Sequence, residues 1–206
     1  MEARNVVRHF ERVAPGYGRL RARWPLGALQ QQERLALQRL VHIEPGALVL
    51  DVGCGDGTTL AWVTACGGRG VGVDMSRSMA LRCQRRGFVT CVQDMERLGF
   101  KPRFDWVLCI GVIEFAESPE RSIRSLGDCV QPSGRLALLF PRRHWLGVLY
   151  AGYHRTHGVR IHLFRRNEVT ALLSAAGFET SAWQDGSLST LCVAQRRPPS
   201  VAPASA

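Results

Sequence analysis

The chain has 206 residues, of which 46% are hydrophobic and 21% are charged, so it is long enough for one well-buried core and short for two. This balance excludes a disordered chain and a membrane-embedded one. The formal net charge of +10 keeps open a partner with negative charge, such as nucleic acid or an anionic lipid surface.

From residue 47 onward, short apolar runs alternate with helical stretches, which is typical of a parallel sheet covered by helices. The predicted strands are 47–52, 69–73, 88–92, 104–110, 135–140, 178–183 and 188–194. The predicted core helices are 58–66, one capped by Ser76 that ends before Gly87, one opened by Ser118-Pro119-Glu120 with Ile123, Leu126 and Val130 on one face, and 168–176. Pro132-Ser133-Gly134 indicates a turn before the fifth strand, and Asp185-Gly186 indicates a terminal hairpin.

Two segments do not belong to this alternating core. Residues 1–45 predict two helices, 4–13 and 26–42, and residues 141–163 form an insertion that is rich in His, Arg and aromatic residues. Together they are expected to form a helical cap on a single domain of residues 1–195. The tail, 196–206, contains mainly Pro, Ser and Ala and predicts disorder.

The cationic residues are almost entirely arginine, since Lys101 is the only lysine among 27 Lys and Arg. Two interpretations are open: a surface that binds phosphate or anionic lipid, or a GC-rich genome that encodes basic residues as arginine. The seven cysteines show neither a C-x-x-C pair nor a zinc spacing, which predicts no metal site and favours a reducing compartment.

The N-terminus lacks a signal-peptide core, and no apolar run approaches the ~20 residues that span a bilayer. We therefore expect a cytoplasmic protein, at most peripheral to a membrane.

A glycine-rich turn, Asp51-Val52-Gly53-Cys54-Gly55-Asp56-Gly57, follows the first predicted strand. Glycines at alternate positions let the main chain turn sharply and let a ligand approach it, but dinucleotide sites share this feature. The acids Asp51 and Asp56 distinguish the two, because they would repel a pyrophosphate at the helix N-terminus. S-adenosylmethionine has no phosphate, and carboxylates favour its sulfonium and ammonium groups.

Two further acids follow the next two predicted strands. Asp74 ends the second strand, where a carboxylate can accept hydrogen bonds from both ribose hydroxyls, and Asp94 follows the third, where it can accept one from the adenine amino group. The pattern resembles the class I S-adenosylmethionine-dependent methyltransferases over residues 47–195. The matching pieces are D-V-G-C-G-D-G at 51–57, G-V-D at 72–74, Q-D at 93–94 and C-I-G-V-I-E-F at 109–115.

This resemblance implies an α/β, Rossmann-like, doubly wound fold with a seven-stranded, mainly parallel sheet and a C-terminal antiparallel hairpin. It implies S-adenosyl-L-methionine as cofactor. The N-terminal phrase from His9 to Tyr17 is similar to the F-x-x-x-A-x-x-Y signature of ubiquinone/menaquinone-type small-molecule methyltransferases, whose aromatic segment folds over the cofactor. Gly18 replaces the acid that usually follows that tyrosine, and a buried amphipathic helix is the alternative for this segment. The cofactor-binding residues implied are Tyr17, Asp51, Gly53, Cys54, Gly55, Asp74, Met75, Asp94, Met95 and Ile110.

Methyl transfer is an in-line displacement at an activated carbon, so a general base is needed only if the acceptor must lose a proton. Many relatives have a Glu-His pair after the fourth strand, where this chain has Glu114-Phe115. Glu114 either faces the acceptor or has a structural role. The insertion supplies other groups, His144, Tyr150, Tyr153, His154, His157 and His162, of which His157 and His162 are the candidate bases. For any single histidine of the insertion, a surface or packing role is favoured over that of a base.

The insertion also places Trp145, Leu146, Val148, Leu149 and Tyr150 between Arg142-Arg143 and Arg155. This pattern favours either a lid over an apolar acceptor or a short membrane-contacting helix, too short for firm anchoring. The sequence as a whole predicts a methyltransferase acting on a small, partly apolar acceptor at oxygen, carbon or nitrogen. The alternatives are an RNA or protein methyltransferase, which the net charge favours, and a non-catalytic cofactor-binding module. Nucleic acid is not the expected partner, because the sequence shows no N-P-P-Y-type tetrapeptide after the fourth strand and no added binding domain.

Overall fold

The computed structural model describes residues 3–14 and 26–197, which form a single seven-stranded sheet covered by helices on both faces. The strands are β1 (Leu48–Val52), β2 (Arg69–Asp74), β3 (Val89–Val92), β4 (Phe104–Ile110), β5 (Val130–Pro141), β6 (Phe178–Asp185) and β7 (Ser189–Arg196). The helices are α1 (Ala3–Val13), α2 (Leu26–Leu40), α3 (Thr58–Ala65), α4 (Arg77–Arg85), α5 (Pro119–Cys129), α6 (Trp145–Thr156) and α7 (Arg166–Ala175). Within these residues, no helix combines the length and apolar character needed to cross a bilayer.

The strand order is β3-β2-β1-β4-β5-β7-β6, and only β7 runs antiparallel to its neighbours. The order reverses at β1, since the chain moves outward to β2 and β3 and then returns to β4. Open α/β sheets bind ligands at the carboxyl ends of the strands beside such a switch point. The predicted α/β, mainly parallel fold with its terminal hairpin is confirmed.

Alternation along the central strands divides the core between the two faces of the sheet. In β4, Val107 and Cys109 face the core beneath α5 and α7, whereas Trp106 and Leu108 face the core beneath α2 and α3. β5 divides its side chains in the same way. Strands buried on both faces explain why the sequence shows continuous apolar runs here.

Strand β5 corrects one prediction. The segment 132–134 is not a separate turn: the strand runs from Val130 to Pro141, and the register with β4 shifts between Phe104 and Trp106. Gly134 makes this irregularity feasible, because a Cβ there would lie 2.6 Å from the carbonyl oxygen of Phe104. Val130, predicted on the α5 face, begins this strand.

The other boundaries differ by a few residues. Helix α2 ends at Leu40, two residues earlier than predicted. Strand β7 continues through Arg196, which was assigned to the tail, and the Arg196 guanidinium donates a hydrogen bond of 2.7 Å to the carbonyl oxygen of Gly127. The remaining tail residues, 198–206, lie outside the described residues.

Candidate active site

The glycine turn between β1 and α3 is held tightly against two neighbouring elements. The amides of Gly53 and Cys54 both donate to the carbonyl oxygen of Val73, at 2.7 and 2.9 Å. Gly53 has a φ of 75°, and a Cβ at this position would lie 2.2 Å from a methyl carbon of Val112 in the loop after β4. Only glycine satisfies both the left-handed conformation and this close approach. The turn therefore brings its main chain up to the ends of β2 and β4.

Asp51 lies at the end of β1 with its side chain almost fully buried. Its Oδ2 has no hydrogen-bond partner within the described residues. Burial raises the pKa of Asp51 to about 8, and the charges of Cys83, Asp74 and Asp56 act in the same direction. A buried carboxyl oxygen without a partner is suited to pair with a positively charged group of a ligand.

Asp74 ends β2, where main-chain amides fix the orientation of its carboxylate. Oδ2 accepts a hydrogen bond of 2.9 Å from the Gly55 amide, and Oδ1 accepts one of 2.8 Å from the Ser76 amide. Burial raises the pKa of Asp74, and these two hydrogen bonds oppose that shift. Each carboxylate oxygen has a second lone pair, so Asp74 can accept two further hydrogen bonds from neighbouring hydroxyls.

The other predicted cofactor residues lie along the same edge of the sheet. Asp94 follows β3 and uses Oδ1 to accept a hydrogen bond from the Glu96 amide. Met95 and Cys54 have side chains that are each 6% exposed, and their predicted contacts with the cofactor stay predictions. Met75 and Ile110 are half-buried at the ends of β2 and β4. Tyr17 lies outside the described residues.

A cluster of aromatic and imidazole rings, His9, Phe10, Phe115, Tyr150, Tyr153, His154 and His157, lies beyond the ends of β4 and β5; we call it the ring cluster. Helix α1 contributes His9 and Phe10, and the loop after β4 contributes Phe115. The rest come from α6 and from His157, which caps its C-terminal end. The centroids of His9 and His154 are 5.9 Å apart, and those of Phe10 and Phe115 are 5.2 Å apart. Helices α1 and α6 therefore meet over the post-β4 loop, as the predicted helical cap requires.

His154 is, with His9, one of two buried imidazoles in the ring cluster, and the sequence analysis did not single it out. Its side chain is 6% exposed, and its Nδ1 has no hydrogen-bond partner within the described residues. Burial lowers the pKa of His154 to about 4, and the charges of His9 and His157 act in the same direction. The imidazole is therefore neutral near pH 7. The centroid of the His154 ring lies 5.3 Å from that of Phe115, so His154 packs against the loop after β4.

The predicted catalytic residues take different positions. His157 joins the ring cluster at the exposed C-terminal end of α6, where its Nδ1 lies 2.9 Å from the carbonyl oxygen of Tyr153. His162 lies outside the cluster, with its Nε2 3.1 Å from the carbonyl oxygen of Ala116. The side chain of Glu114 is buried, and its main-chain oxygen accepts a hydrogen bond of 2.8 Å from the His162 amide. The structure thus brings Glu114 and His162 together beneath the cap, and their predicted catalytic roles stay predictions.

Within residues 3–14 and 26–197, no three His, Cys, Asp or Glu side chains are grouped in a way that could hold a metal ion. The polar groups at this edge of the sheet are carboxylates and main-chain amides around the glycine turn, and the ring cluster packs against the loop after β4. This arrangement fits a ligand that has a positively charged end, hydroxyl groups and an aromatic base.

Comparison with known proteins shows a match to the family described as a methyltransferase domain over residues 28–182. The ubiquinone biosynthesis O-methyltransferase of Coxiella burnetii is 30% identical over 138 residues, which are 61% of this chain and 59% of that protein. The probable tRNA methyltransferase 9B of Mus musculus is 29% identical over 143 residues, which are 67% of this chain and 30% of that protein. The chain thus spans less than two thirds of the length of either relative.

Among solved structures, magnesium protoporphyrin IX methyltransferase from Synechocystis PCC 6803 with bound S-adenosylhomocysteine superposes with a TM-score of 0.73. The match is 22% identical in sequence and covers 89% of this chain and 95% of that chain, which shows a shared fold. The family match extends over the glycine turn, the carboxylates Asp51, Asp74 and Asp94, and the loop after β4. The chain therefore belongs to the class I methyltransferases, a family of enzymes whose cofactor is S-adenosyl-L-methionine.

Proposed function

We propose that this chain transfers a methyl group from S-adenosylmethionine to a small, partly apolar acceptor at oxygen, carbon or nitrogen. The ring cluster is the observation that carries the proposal. Its Phe115 belongs to the loop after β4, and Val112 of the same loop lies against Gly53, so the ring cluster and the glycine turn border one loop. Such a surface suits a flat or apolar molecule, because desolvation of rings favours apolar contact and the neutral His154 supplies one polar group.

The carboxylates would hold the cofactor by its charged and hydroxyl groups. We assign the ammonium group to Asp51, whose Oδ2 lacks a hydrogen-bond partner within the described residues, and the ribose hydroxyls to Asp74. Asp94 is assigned to the adenine amino group, and the main chain of Gly53 and Gly55 borders the space between them. Bound S-adenosylmethionine supplies an activated methyl carbon, so the protein's part is to orient the acceptor and keep water away.

His154 is suited to orient an acceptor through its Nδ1. Because the imidazole is neutral near pH 7, it can exchange a hydrogen bond with a hydroxyl or amine without charge repulsion. With a pKa of about 4 it is a weak base, so we assign it an orienting role rather than full proton abstraction. The predicted bases, His157 and His162, already use one ring nitrogen on main-chain oxygens.

RNA is the second candidate acceptor. It is favoured by the net charge of +10 and by the similarity to the probable tRNA methyltransferase. Arg8 and Arg12 of α1 are exposed, whereas His9 and Phe10 of the same helix belong to the ring cluster. Phosphate contacts from exposed arginines would give salt-sensitive, sequence-independent binding.

Helix α6 presents two different faces, which accommodates both roles that the sequence predicted for it. The inner face holds His154 in the ring cluster, and the outer face exposes Trp145, Val148 and Leu149, which are 70%, 59% and 63% exposed. Residues 142–167 contain six arginines and no acid, and three of these arginines form ion pairs with Asp185 or Glu168 outside the segment. We propose that this outer face rests on an anionic membrane surface from which an apolar acceptor is taken.

Replacing Asp74 with alanine should weaken binding of S-adenosylhomocysteine by about 10- to 100-fold, because hydrogen bonds to a charged group contribute about 1.5–3 kcal/mol. Isothermal titration calorimetry measures this effect directly. Asp128→Ala changes an exposed aspartate on α5 and serves as the control. Unchanged affinity in the Asp74 variant would remove this residue from the cofactor site.

Binding of S-adenosylmethionine should release a proton from Asp51. The free protein holds the Asp51 pKa at about 8, and a nearby ammonium group lowers it, so affinity should rise with pH until about pH 8 and level off above. Calorimetry at pH 7 in two buffers with different ionisation enthalpies gives the number of protons released. Asp51→Asn should abolish the release, and an equal release from this variant would contradict the assignment.

Labelled S-adenosylmethionine should transfer its methyl group into the small-molecule fraction of a cell extract rather than into RNA. His154→Phe keeps an aromatic ring but removes Nδ1, and we expect about tenfold lower turnover with unchanged affinity for S-adenosylhomocysteine. His42→Phe, at an exposed position, is the matched control. Label found in RNA and absent from metabolites would overturn the proposed acceptor class.

The protein should sediment with phosphatidylglycerol vesicles and less with phosphatidylcholine vesicles. Trp145→Ala with Leu149→Ala should reduce the bound fraction several-fold, because both exposed side chains are lost from the outer face of α6. Leu35→Ala removes an exposed leucine of α2 and is the control. If the double variant binds like the unmodified protein, α6 does not contact the membrane.

A further inference from the structure

The only acidic side chain of α1, Glu11, reaches across to the start of α4. Its Oε1 accepts hydrogen bonds from the Ser76 hydroxyl at 3.0 Å and from the Ser78 amide at 3.1 Å, and its Oε2 accepts one from the Ser78 hydroxyl. A carboxylate at a helix N-terminus is favourable, because the first amides of the helix have no intrahelical partner. Glu11 therefore joins α1 to α4 by three hydrogen bonds.

The loop that Glu11 contacts begins with the predicted ribose carboxylate. The Ser76 amide donates to Asp74 Oδ1 at 2.8 Å, and the Gly55 amide donates to Asp74 Oδ2 at 2.9 Å. Ser76 also caps α4, since its hydroxyl oxygen accepts a hydrogen bond of 3.2 Å from the Met79 amide. A continuous path of hydrogen bonds thus runs from Glu11 through Ser76 and Asp74 to the glycine turn.

The same helix is held at a second place. Val6 packs with Phe115 and Val159, and Phe10 lies 5.2 Å from the Phe115 ring. His9 lies 5.9 Å from His154 of α6. Helix α1 therefore bridges the ring cluster and the start of α4, and Glu11 forms its polar attachment on the cofactor side.

We propose that Glu11 is a positioning residue that couples closure of α1 to occupation of the cofactor site. Hydrogen bonds from the ribose to Asp74 fix the loop at Ser76 and Ser78, and this fixed loop holds Glu11 and with it α1. By linkage, the attached helix increases affinity for the cofactor by the same factor. The inference rests on the proposed assignment of Asp74 to the ribose.

If Glu11 only caps α4, the expected effects of its removal are different. Capping stabilises α4 whether or not the cofactor is bound, so its loss lowers thermal stability without changing how α1 responds to ligand. Coupling requires that the protection of α1 depends on the cofactor and that this dependence is lost with Glu11. Hydrogen exchange of residues 3–14 with and without S-adenosylhomocysteine separates the two.

The test compares Glu11→Ala and Glu11→Gln with the control Glu44→Gln, which alters an exposed turn residue. We expect Glu11→Ala to weaken S-adenosylhomocysteine binding about 5- to 20-fold and to abolish the ligand-induced protection of residues 3–14, with a smaller effect for Glu11→Gln. Ser78→Ala, which retains the amide, should weaken binding less than Glu11→Ala. The double variant, Glu11→Ala with Ser78→Ala, should lose less affinity for S-adenosylhomocysteine than the product of the two single effects.

Two outcomes would overturn the coupling. One is that Glu11→Ala binds S-adenosylhomocysteine with unchanged affinity, and the other is that α1 still gains protection on binding. If Glu11→Ala does not fold, Ser78→Ala provides the same two measurements. Asp74→Ala distinguishes the underlying failures: if it also binds normally, the cofactor assignment is wrong, and if it alone weakens binding, only the role of Glu11 is wrong.

Discussion

The carboxyl group of Asp51 is buried at the end of the central strand β1, and its protonation state determines the electrostatics of the site at the carboxyl ends of β1 and β2. Its pKa of about 8 means that the folded protein retains a proton which the unfolded chain releases near pH 4. Folding stability is therefore lost as pH rises from about 4 towards 8. A positively charged ligand reverses this effect, because it favours the ionised carboxylate. Burial of Asp51 thus lowers the stability of the free protein near neutral pH. The same burial strengthens the attraction of the ionised carboxylate for a positively charged ligand.

The cofactor edge and the ring cluster meet in one short segment of chain. Val112 packs against Gly53 of the glycine turn, and Phe115, three residues later, contacts Phe10 and His154. Two backbone hydrogen bonds fix this segment, from the amide of Gly111 to Leu139 and from that of His162 to Glu114. In-line transfer depends on holding two reactants within a fraction of an ångström. In the proposed arrangement, this segment borders both the cofactor and the acceptor, so it would fix their positions relative to each other.

The sheet could be predicted from the sequence because its signals are local. Strand β4 was predicted at 104–110 and is found at Phe104–Ile110, and the Ser76 cap of α4 lies where predicted. The site above the sheet depends instead on tertiary contacts. His9 and His154 are far apart in the chain, and α6 buries Gly147 and His154 while it exposes Trp145 and Leu149. An apolar pattern does not reveal this inversion, so His154 could not be chosen over His157 or His162. Glu11 directly follows Phe10 in the chain, and no sequence pattern signals its role, because its partners, Ser76 and Ser78, lie at the start of α4.

The inverted polarity of α6 bears on which acceptor fits. Gly147 lies so close to the carbonyl oxygen of Arg142 that a Cβ would be 1.9 Å away, which fixes the helix with His154 inward. The inward imidazole stays neutral at physiological pH, since its pKa is lowered to about 4, and the pKa of His9 is lowered as well by burial and by neighbouring charges. The ring cluster, with its buried His9 and His154, offers little counter-charge to a phosphate, whose desolvation is costly. A phosphodiester chain would have to bind exposed arginines outside the ring cluster. A flat neutral molecule has a low desolvation cost when it contacts the rings. The exposed arginines thus favour contact with RNA at the surface, whereas the ring cluster favours the small acceptor that we propose.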